Sequence, residues 1–406
     1  MKRIDFRRVF VITGLTVLVI VYAVLWLRMI SSRAERTGAD FIVFYTAGHI
    51  AQTNGVENVY EPGLQQAVEQ TLVGFQLVPG QVLLYNHVPY LIPILTMLIS
   101  ENYVTAFYRW AILLLIIFIA GTVLLARSLY RAGWAKADVW LAEAGILTFF
   151  PIFVSLLNGQ DTAFLFFGSC LLLVGLCTGK DWLAGLGLAL TTIRPQITVL
   201  LAIPFLFRRQ KVIGWFGLGA GILGGLSLAI LGVEGMRGFL NLLLVSASGV
   251  WYGLKEPAMV NLIGLLWRFV PGLGGDAIHW IGWVTYGMAL IGLCVLWAHS
   301  REISEKQLGV VIIVSLFAVP HLHYHDLALL IVALLPGLVI FVRRGLLSAR
   351  NASLAPLTIS FFLLISSLVP QLKFNVPYLV MVLLFLMLCF PVKIFFWRRQ
   401  APEIIP

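Results

Sequence analysis

Residues 9–30 read VFVITGLTVLVIVYAVLWLRMI. The run holds 22 residues and one charge, Arg28, close to its end. A helix of that length rises about 33 Å, which matches the hydrocarbon core of a bilayer. In lipid every backbone N–H and C=O must be paired inside the segment, so the run reads as a membrane-spanning helix. It follows a basic stub with Lys2, Arg3, Arg7 and Arg8. It is longer than the apolar core of a signal peptide and reads as a retained anchor.

The same pattern recurs along all 406 residues. The chain is 60% hydrophobic and 11% charged, with mean hydropathy +0.96. A soluble domain carries about 25% charged residues, so a soluble globular enzyme is excluded. A disordered chain would be poor in apolar residues, and a membrane β-barrel would alternate and give a weak hydropathy signal. The expectation is an all-α, polytopic helical membrane protein forming one integral domain over 1–406. Runs at 9–30, 103–126, 139–157, 161–178, 181–193, 196–207, 212–232, 277–298, 306–320, 326–342, 354–370 and 376–397 predict about twelve spans, with a range of 11–13. The formal charge of +10 comes from basic residues at the ends of these runs, among them Arg208, Arg209 and Lys211, Arg343, Arg344 and Arg350, and Lys393, Arg398 and Arg399. That placement is the signature of cytoplasmic flanks and calls for no nucleic acid. Cys170, Cys177, Cys294 and Cys389 lie inside apolar runs and read as small apolar residues, without disulfide framework or metal spacing.

With the N-terminus inside, alternation places 127–138, 179–180, 208–211, 299–305 and 343–353 in the cytoplasm. The opposite face receives 31–102, 158–160, 194–195, 233–276, 321–325 and 371–375. Residues 83–99 are apolar enough to cross, yet they hold Pro89 and Pro93 and begin with Asn86 and His87. They read as a partial or re-entrant element lining a cavity. The outer loop 31–82 shows helical patches near 40–52 and 63–73, with a turn at Glu61-Pro62-Gly63. Segment 233–276 is amphipathic, and Trp251, Tyr252, Trp267 and Trp280 suit a helix at the membrane interface. No internal repeat is visible.

Four polar clusters fall on the same outer side. Asp40 precedes Phe41, Phe44 and Tyr45 about ten residues after the first run. An acid at a partly apolar helix start suits a general base, and it equally suits an N-cap for a helix over 41–52. Arg194-Pro195-Gln196 splits an apolar run into halves of 13 and 12 residues. Each half rises only about 20 Å, so Arg194 should lie recessed in a protein cavity. A guanidinium there suits a phosphate, or a structural ion pair with Asp161 or Asp326. Asn158-Gly159-Gln160-Asp161 is a tight turn whose acid can also cap the next helix. His321, His323, His325 and Asp326 crowd one span end. Spacings of i, i+2 and i+4 do not share one helix face, so a three-histidine metal site would need a loop. His325 as proton carrier or sugar ligand, and a solvated cap with Asp326 starting the next helix, are the other readings. No GxGxxG, Walker or GxSxG motif is present, and the inner loops are too short for a nucleotide. No cofactor or metal is called for, and any donor should be membrane-borne.

The Asp40-Phe41-x-x-Phe44-Tyr45-x-Ala47 start, the Tyr60-Glu61-Pro62 turn, Asn158-Gly159-Gln160, the Arg194-Pro195-Gln196 break and the His-rich end before Leu327 resemble glycosyltransferase family 87. The similarity runs over roughly 35 to 345, and the order and spacing of the motifs carry it. The resemblance implies a GT-C-type enzyme of a bacterial plasma membrane, with juxtamembrane helices and an extracytoplasmic site. It implies inverting transfer of a hexose, mannose by default, from a polyprenyl-phosphate sugar to a lipid or glycan acceptor. The family's essential acid falls on Asp40. Its usual Lys-Pro-Gln appears as Arg194-Pro195-Gln196, and its histidine corresponds to His321, His323 or His325.

On this reading Asp40 and His325 are catalytic, and Arg194 with Gln196 holds the donor phosphate. Tyr45, Asn86, His87, Gln160, Asp161, His321, His323 and Asp326 contact sugar or acceptor. Membrane lipids surround a protein expected to be monomeric. A secondary transporter or lipid flippase would also bury Arg194 and acids, near the midplane.

Overall fold

The computed structural model describes residues 6–247, 256–300 and 304–389. Among them there is no strand, and the chain is a bundle of helices joined by short turns. It opens with α1 (Phe6–Ser31), followed by α2 (Arg33–Thr37), α3 (Phe41–Thr53) and α4 (Pro62–Val73). A short α5 (Ile92–Leu98) leads to the long α6 (Tyr103–Arg131), then α7 (Lys136–Leu147), α8 (Phe150–Asn158) and α9 (Thr162–Cys177). After α10 (Asp181–Leu190) and α11 (Pro195–Phe207) come α12 (Lys211–Ala247), α13 (Leu262–Phe269) and α14 (Gly275–His299). The described chain closes with α15 (Glu305–Ala318), α16 (Leu330–Arg343), α17 (Ala349–Ala352), α18 (Ala355–Ser367), α19 (Pro370–Lys373) and α20 (Val376–Cys389).

Seven of the described helical segments are long and apolar enough to cross a membrane, and eight if the bent pair α7–α8 counts as one. The protein is a multi-pass helical membrane protein. The run 139–157, expected as one span, is bent by 40° between α7 and α8. Pro151 sits in the first turn of α8 and Phe149 is extended (ψ 124°), which stops α7 from continuing. Pro89–Leu98 is among the shorter apolar helices. At about 15 Å it is too short to cross, as a re-entrant element would be. Arg194 precedes Pro195 and leaves the helical region (φ −126°, ψ 79°), which separates α10 from α11. The proline's Cδ excludes the α conformation from the residue before it. Gly232 (φ 65°, ψ −175°) kinks α12 where the run 212–232 was expected to end.

Charged and polar side chains mark the helix starts. Asn102 accepts from the Thr105 N–H, and Ser304 and Gln307 form a capping box. Helices α9 and α10 meet on glycines: a methyl at Gly168 would stand 2.7 Å from the Gly187 carbonyl oxygen. Such close backbone approach is how apolar helices gain dispersion contact where lipid supplies no hydrophobic drive. The segment Tyr324–Arg343 lies at the centre, 78% buried, against 11% for the outlying α1. Val19, Val24 and Leu27 of α1 and Trp283, Met288 and Ile291 of α14 are exposed apolar residues, facing where lipid would be.

Segment 233–276 does not form one interfacial helix. Helix α12 runs on to Ala247, and α13 follows after a 3-10 turn at Glu256–Ala258. Trp251 and Tyr252 lie outside the described residues, as do Lys2, Arg3, Lys393, Arg398 and Arg399. Trp267 packs on a small core of Met259, Ile263 and Ile278, and Trp280 belongs to α14.

Candidate active site

The four polar clusters converge on the start of α9. Gly159 (φ 69°) ends α8, and a side chain there would bring its Cβ within 2.7 Å of the Phe41 Cβ. The turn is thereby pressed onto the start of α3, and the Trp110 indole N–H donates to the Gly159 carbonyl at 2.7 Å. Ser155 grips Gln160 twice, through its carbonyl at 2.9 Å and its hydroxyl at 3.1 Å.

Asp161 follows, fully buried. Its side chain does not cap α9, contrary to the simple turn reading. Oδ1 accepts from Arg194 Nη2 at 2.7 Å, and Oδ2 faces His87 Nδ1 at 2.7 Å. The second contact fixes the tautomer: Nδ1 carries the proton, and in the neutral ring Nε2 is left as an acceptor. Arg194 Nη2 also donates to Gln160 Oε1 at 3.3 Å, and its Nε stands 3.7 Å from Asp326 Oδ1. Arg194 therefore faces both acids that the structural reading named. With the charge so compensated, burying the guanidinium is affordable.

Asp326 is held in turn. Its Oδ1 accepts from Thr162 Oγ1 at 3.3 Å, its Oδ2 accepts from the His323 N–H at 3.3 Å, and His325 Nε2 lies 3.7 Å away. The rings of His321 and His323 meet edge to face at 4.6 Å, and His323 and His325 are 5.8 Å apart. Burial, with the neighbouring histidines adding to it, pushes His321 down to about 3 and His323 to about 4. Both are neutral at physiological pH. The loop that carries them is tied to the start of α13, where the Val260 N–H donates to the Leu322 carbonyl at 3.2 Å and Asn261 Nδ2 to the Val319 carbonyl at 2.7 Å. Among the described residues no group of three or more His, Cys, Asp or Glu is arranged to hold a metal ion.

Asp40 occupies the N-cap position of α3 with helical backbone angles and makes no capping hydrogen bond. Among the described residues no hydrogen bond or ion pair engages its carboxylate. Arg194 and His323 both lie within its electrostatic reach. Gly38 and Ala39, just before it, share a cavity of about 340 Å³ with Leu157 and Asn158, just before Gln160. Leu25, Arg28 and Met29 of α1 and Glu35 of α2 line its other side, where Arg28 and Glu35 pair at 2.6 Å.

Other expected residues stand apart. The Tyr45 hydroxyl donates to the Glu101 carbonyl at 3.3 Å, with its ring against Tyr103. Asn86 is exposed, and Gln196 meets Tyr286 through its carbonyl at 2.9 Å. Thr162 was not named from sequence, and Tyr60, read there only as part of a turn motif, donates its hydroxyl to the His87 carbonyl at 2.8 Å. A threonine in an apolar run carries no distinguishing signal, and a turn motif does not show where its tyrosine hydroxyl points.

A family model, glycosyltransferase family 87, matches residues 88–320, more than half of the chain. Gln160, Asp161 and Arg194 fall inside that stretch, while Asp40, His87 and His321–Asp326 flank it. No curated protein and no solved structure is detectably similar to the chain. A helical membrane protein whose buried guanidinium and acids gather around one turn, matched over this span, belongs to glycosyltransferase family 87 and is a glycosyltransferase.

Proposed function

We propose that the protein moves a hexose, mannose by family default, from a polyprenyl-phosphate sugar to a lipid or glycan acceptor at the outer leaflet of a bacterial plasma membrane. The acceptor hydroxyl attacks the anomeric carbon from the face opposite the phosphate, and the configuration inverts. The bond from that carbon to the phosphate oxygen breaks, Asp40 takes the hydroxyl proton, and the polyprenyl phosphate departs with the bonding pair. Phosphate is a good leaving group, so electrostatic stabilisation does the work of a general acid. Arg194 supplies it. The 2.7 Å pair with Asp161 holds the guanidinium in place. Its longer contacts to Gln160 and Asp326 are the ones a phosphate oxygen replaces. His87, through Nε2, and His325 orient sugar or acceptor hydroxyls.

The observation that carries this reading is the Asp40 carboxylate, which spends itself on no cap and no ion pair among the described residues while sharing a neighbourhood with Arg194. The cavity beside Gly38 and Asn158 lies between α1 and the site, which suits a lipid-anchored substrate arriving from the bilayer. Counting α9, α10, α11 and α15 as crossings that end at the buried cluster gives about twelve spans of a GT-C-type architecture.

The test is a transfer assay on purified protein, offering polyprenyl-phosphate hexoses against a lipid extract. Asp40→Asn should lower turnover by about a thousand-fold, the reach of a general base, with folding unchanged. Near-normal turnover of that variant rejects the role.

A further inference from the structure

The stretch that delivers His87 has no secondary structure of its own. Residues 82–86 form neither helix nor strand, and the Asn86 N–H turns back to the Leu84 carbonyl at 3.0 Å. Here residues 83, 85 and 87 are each met by a side chain from the 60–69 region. Glu69 Oε2 accepts from the Leu83 N–H at 3.1 Å. Gln65 Oε1 accepts from the Tyr85 N–H at 2.7 Å, while its Nε2 donates to the Val59 carbonyl at 2.8 Å. The Tyr60 hydroxyl donates to the His87 carbonyl at 2.8 Å. Three side chains thus supply the backbone bonds that no regular element gives this stretch.

These groups are deeply buried: Gln65 is 0% exposed, Glu69 and Tyr60 2%. Losing a bond to a buried amide or carboxyl costs stability, so each contact favours one register of the stretch. Glu69 Oε1 has no hydrogen-bond partner, and burial pushes this carboxyl up to about 8. Tyr103 at the start of α6 is the titratable group facing it, with Arg36 and Tyr45 beyond. Glu69 therefore acts as a neutral carboxylic acid at pH 7. The end of the stretch is packed by rings, with His87 against Phe44 at 4.6 Å and Tyr85 at 5.4 Å.

We propose that Tyr60, Gln65 and Glu69 are positioning residues of the transferase site: they clamp residues 83–87 so that His87 keeps Nδ1 on Asp161 and presents Nε2 to substrate. The catalytic consequence rests on the function proposed above, whereas the clamp itself stands on the geometry alone.

The experiment labels the full-length protein in detergent with diethyl pyrocarbonate and maps modified histidines by mass spectrometry. Gln65→Ala and Glu69→Ala should each raise the His87 rate by about ten-fold, the effect of losing one buried hydrogen bond. His279 and His299, exposed elsewhere, should keep their rates and report that the fold is intact. Tyr60→Phe, which removes only a hydroxyl, should speed His87 as well. Glu69→Gln, a neutral isostere of the acid, should keep the wild-type labelling rate. Unchanged His87 labelling in Gln65→Ala, Glu69→Ala and Tyr60→Phe overturns the clamp, and accelerated labelling in Glu69→Gln overturns the neutral role of Glu69. Accelerated labelling in Gln65→Ala with wild-type hexose transfer overturns the positioning role. Absence of transfer by the wild type, with the labelling pattern as expected, counts against the donor class and leaves the clamp standing.

Discussion

Asp161 has no exposed surface, yet it accepts from a guanidinium on one oxygen and an imidazole on the other. A buried carboxylate survives only with such partners, because the loss of hydration costs several kcal/mol per ion. Its immediate function is orientation: it aims Arg194 and sets the tautomer of His87. Glu69 is the opposite case, a buried acid with one backbone donor and no cation. Free in the unfolded chain it titrates near 4.5, while in the fold burial raises it to about 8. Below about pH 4.5 both states hold the proton and no penalty arises. As pH rises toward 8 the unfolded chain ionises while the fold does not, so stability falls across that window and levels off above it. The slope reaches at most about 1.4 kcal/mol per pH unit. Thermal unfolding of the purified protein at pH 5, 6, 7 and 8 should show this decline. Glu69→Gln should remove that part of it, and an identical decline in the variant would show that Glu69 is not the group responsible.

Helix breaks, rather than helix faces, build the site. Arg194 stands where α10 stops and α11 starts, His87 lies on an irregular stretch before α5, and Asp326 sits in a 3-10 turn ahead of α16. Each break frees backbone and lets a polar side chain turn inward, which a continuous apolar helix forbids. Pro195 is the simplest of these devices. Its ring bars Arg194 from helical angles, and as the first residue of α11 it costs that helix nothing. Pro195→Ala should let α10 and α11 join. Its melting temperature should stay near that of the wild type, while transfer falls by about a hundred-fold as Arg194 leaves its place. Retained transfer would mean that the break itself is dispensable. Gly159 does the complementary job for Asp161, since only a residue without Cβ fits against Phe41 at that turn.

Over the whole molecule the loops gather in groups. Arg209 bridges to Asp181, and Arg208 Nε donates to the Ser300 carbonyl at 2.8 Å, so 179–181, 208–211 and the end of α14 meet. Arg7 lies 3.6 Å from Asp138 and donates to the Arg350 carbonyl at 2.8 Å, which joins the start of α1 to 132–138 and 343–353. Another group carries Asp40, His87, Asp161, Arg194 and His321–Asp326, and the function proposed above puts it on the face opposite the basic loops. With Cys177 replaced by serine, Phe75→Cys in intact cells should react with a membrane-impermeant maleimide, and Ala135→Cys only after permeabilisation. Labelling of both from one side would defeat this arrangement. Composition and run length by themselves determined the helical membrane class and the position of most spans, because a bilayer imposes one rule, about twenty apolar residues in a helix, that can be counted. The proline at 195 likewise announced the break, since its steric effect is local. What only the tertiary structure decided is which polar residues meet. The sequence left Asp161 between a helix cap and a substrate contact, and Arg194 between a phosphate and an ion pair with Asp161 or Asp326. It singled out neither Gln65 nor Glu69, whose i, i+4 spacing on a helix is indistinguishable from a polar face turned to water. Whether such a group is solvated or buried against residue 83 or 85 depends on how α4 docks onto the returning chain. That is fixed by packing between segments distant in sequence, which no local rule encodes.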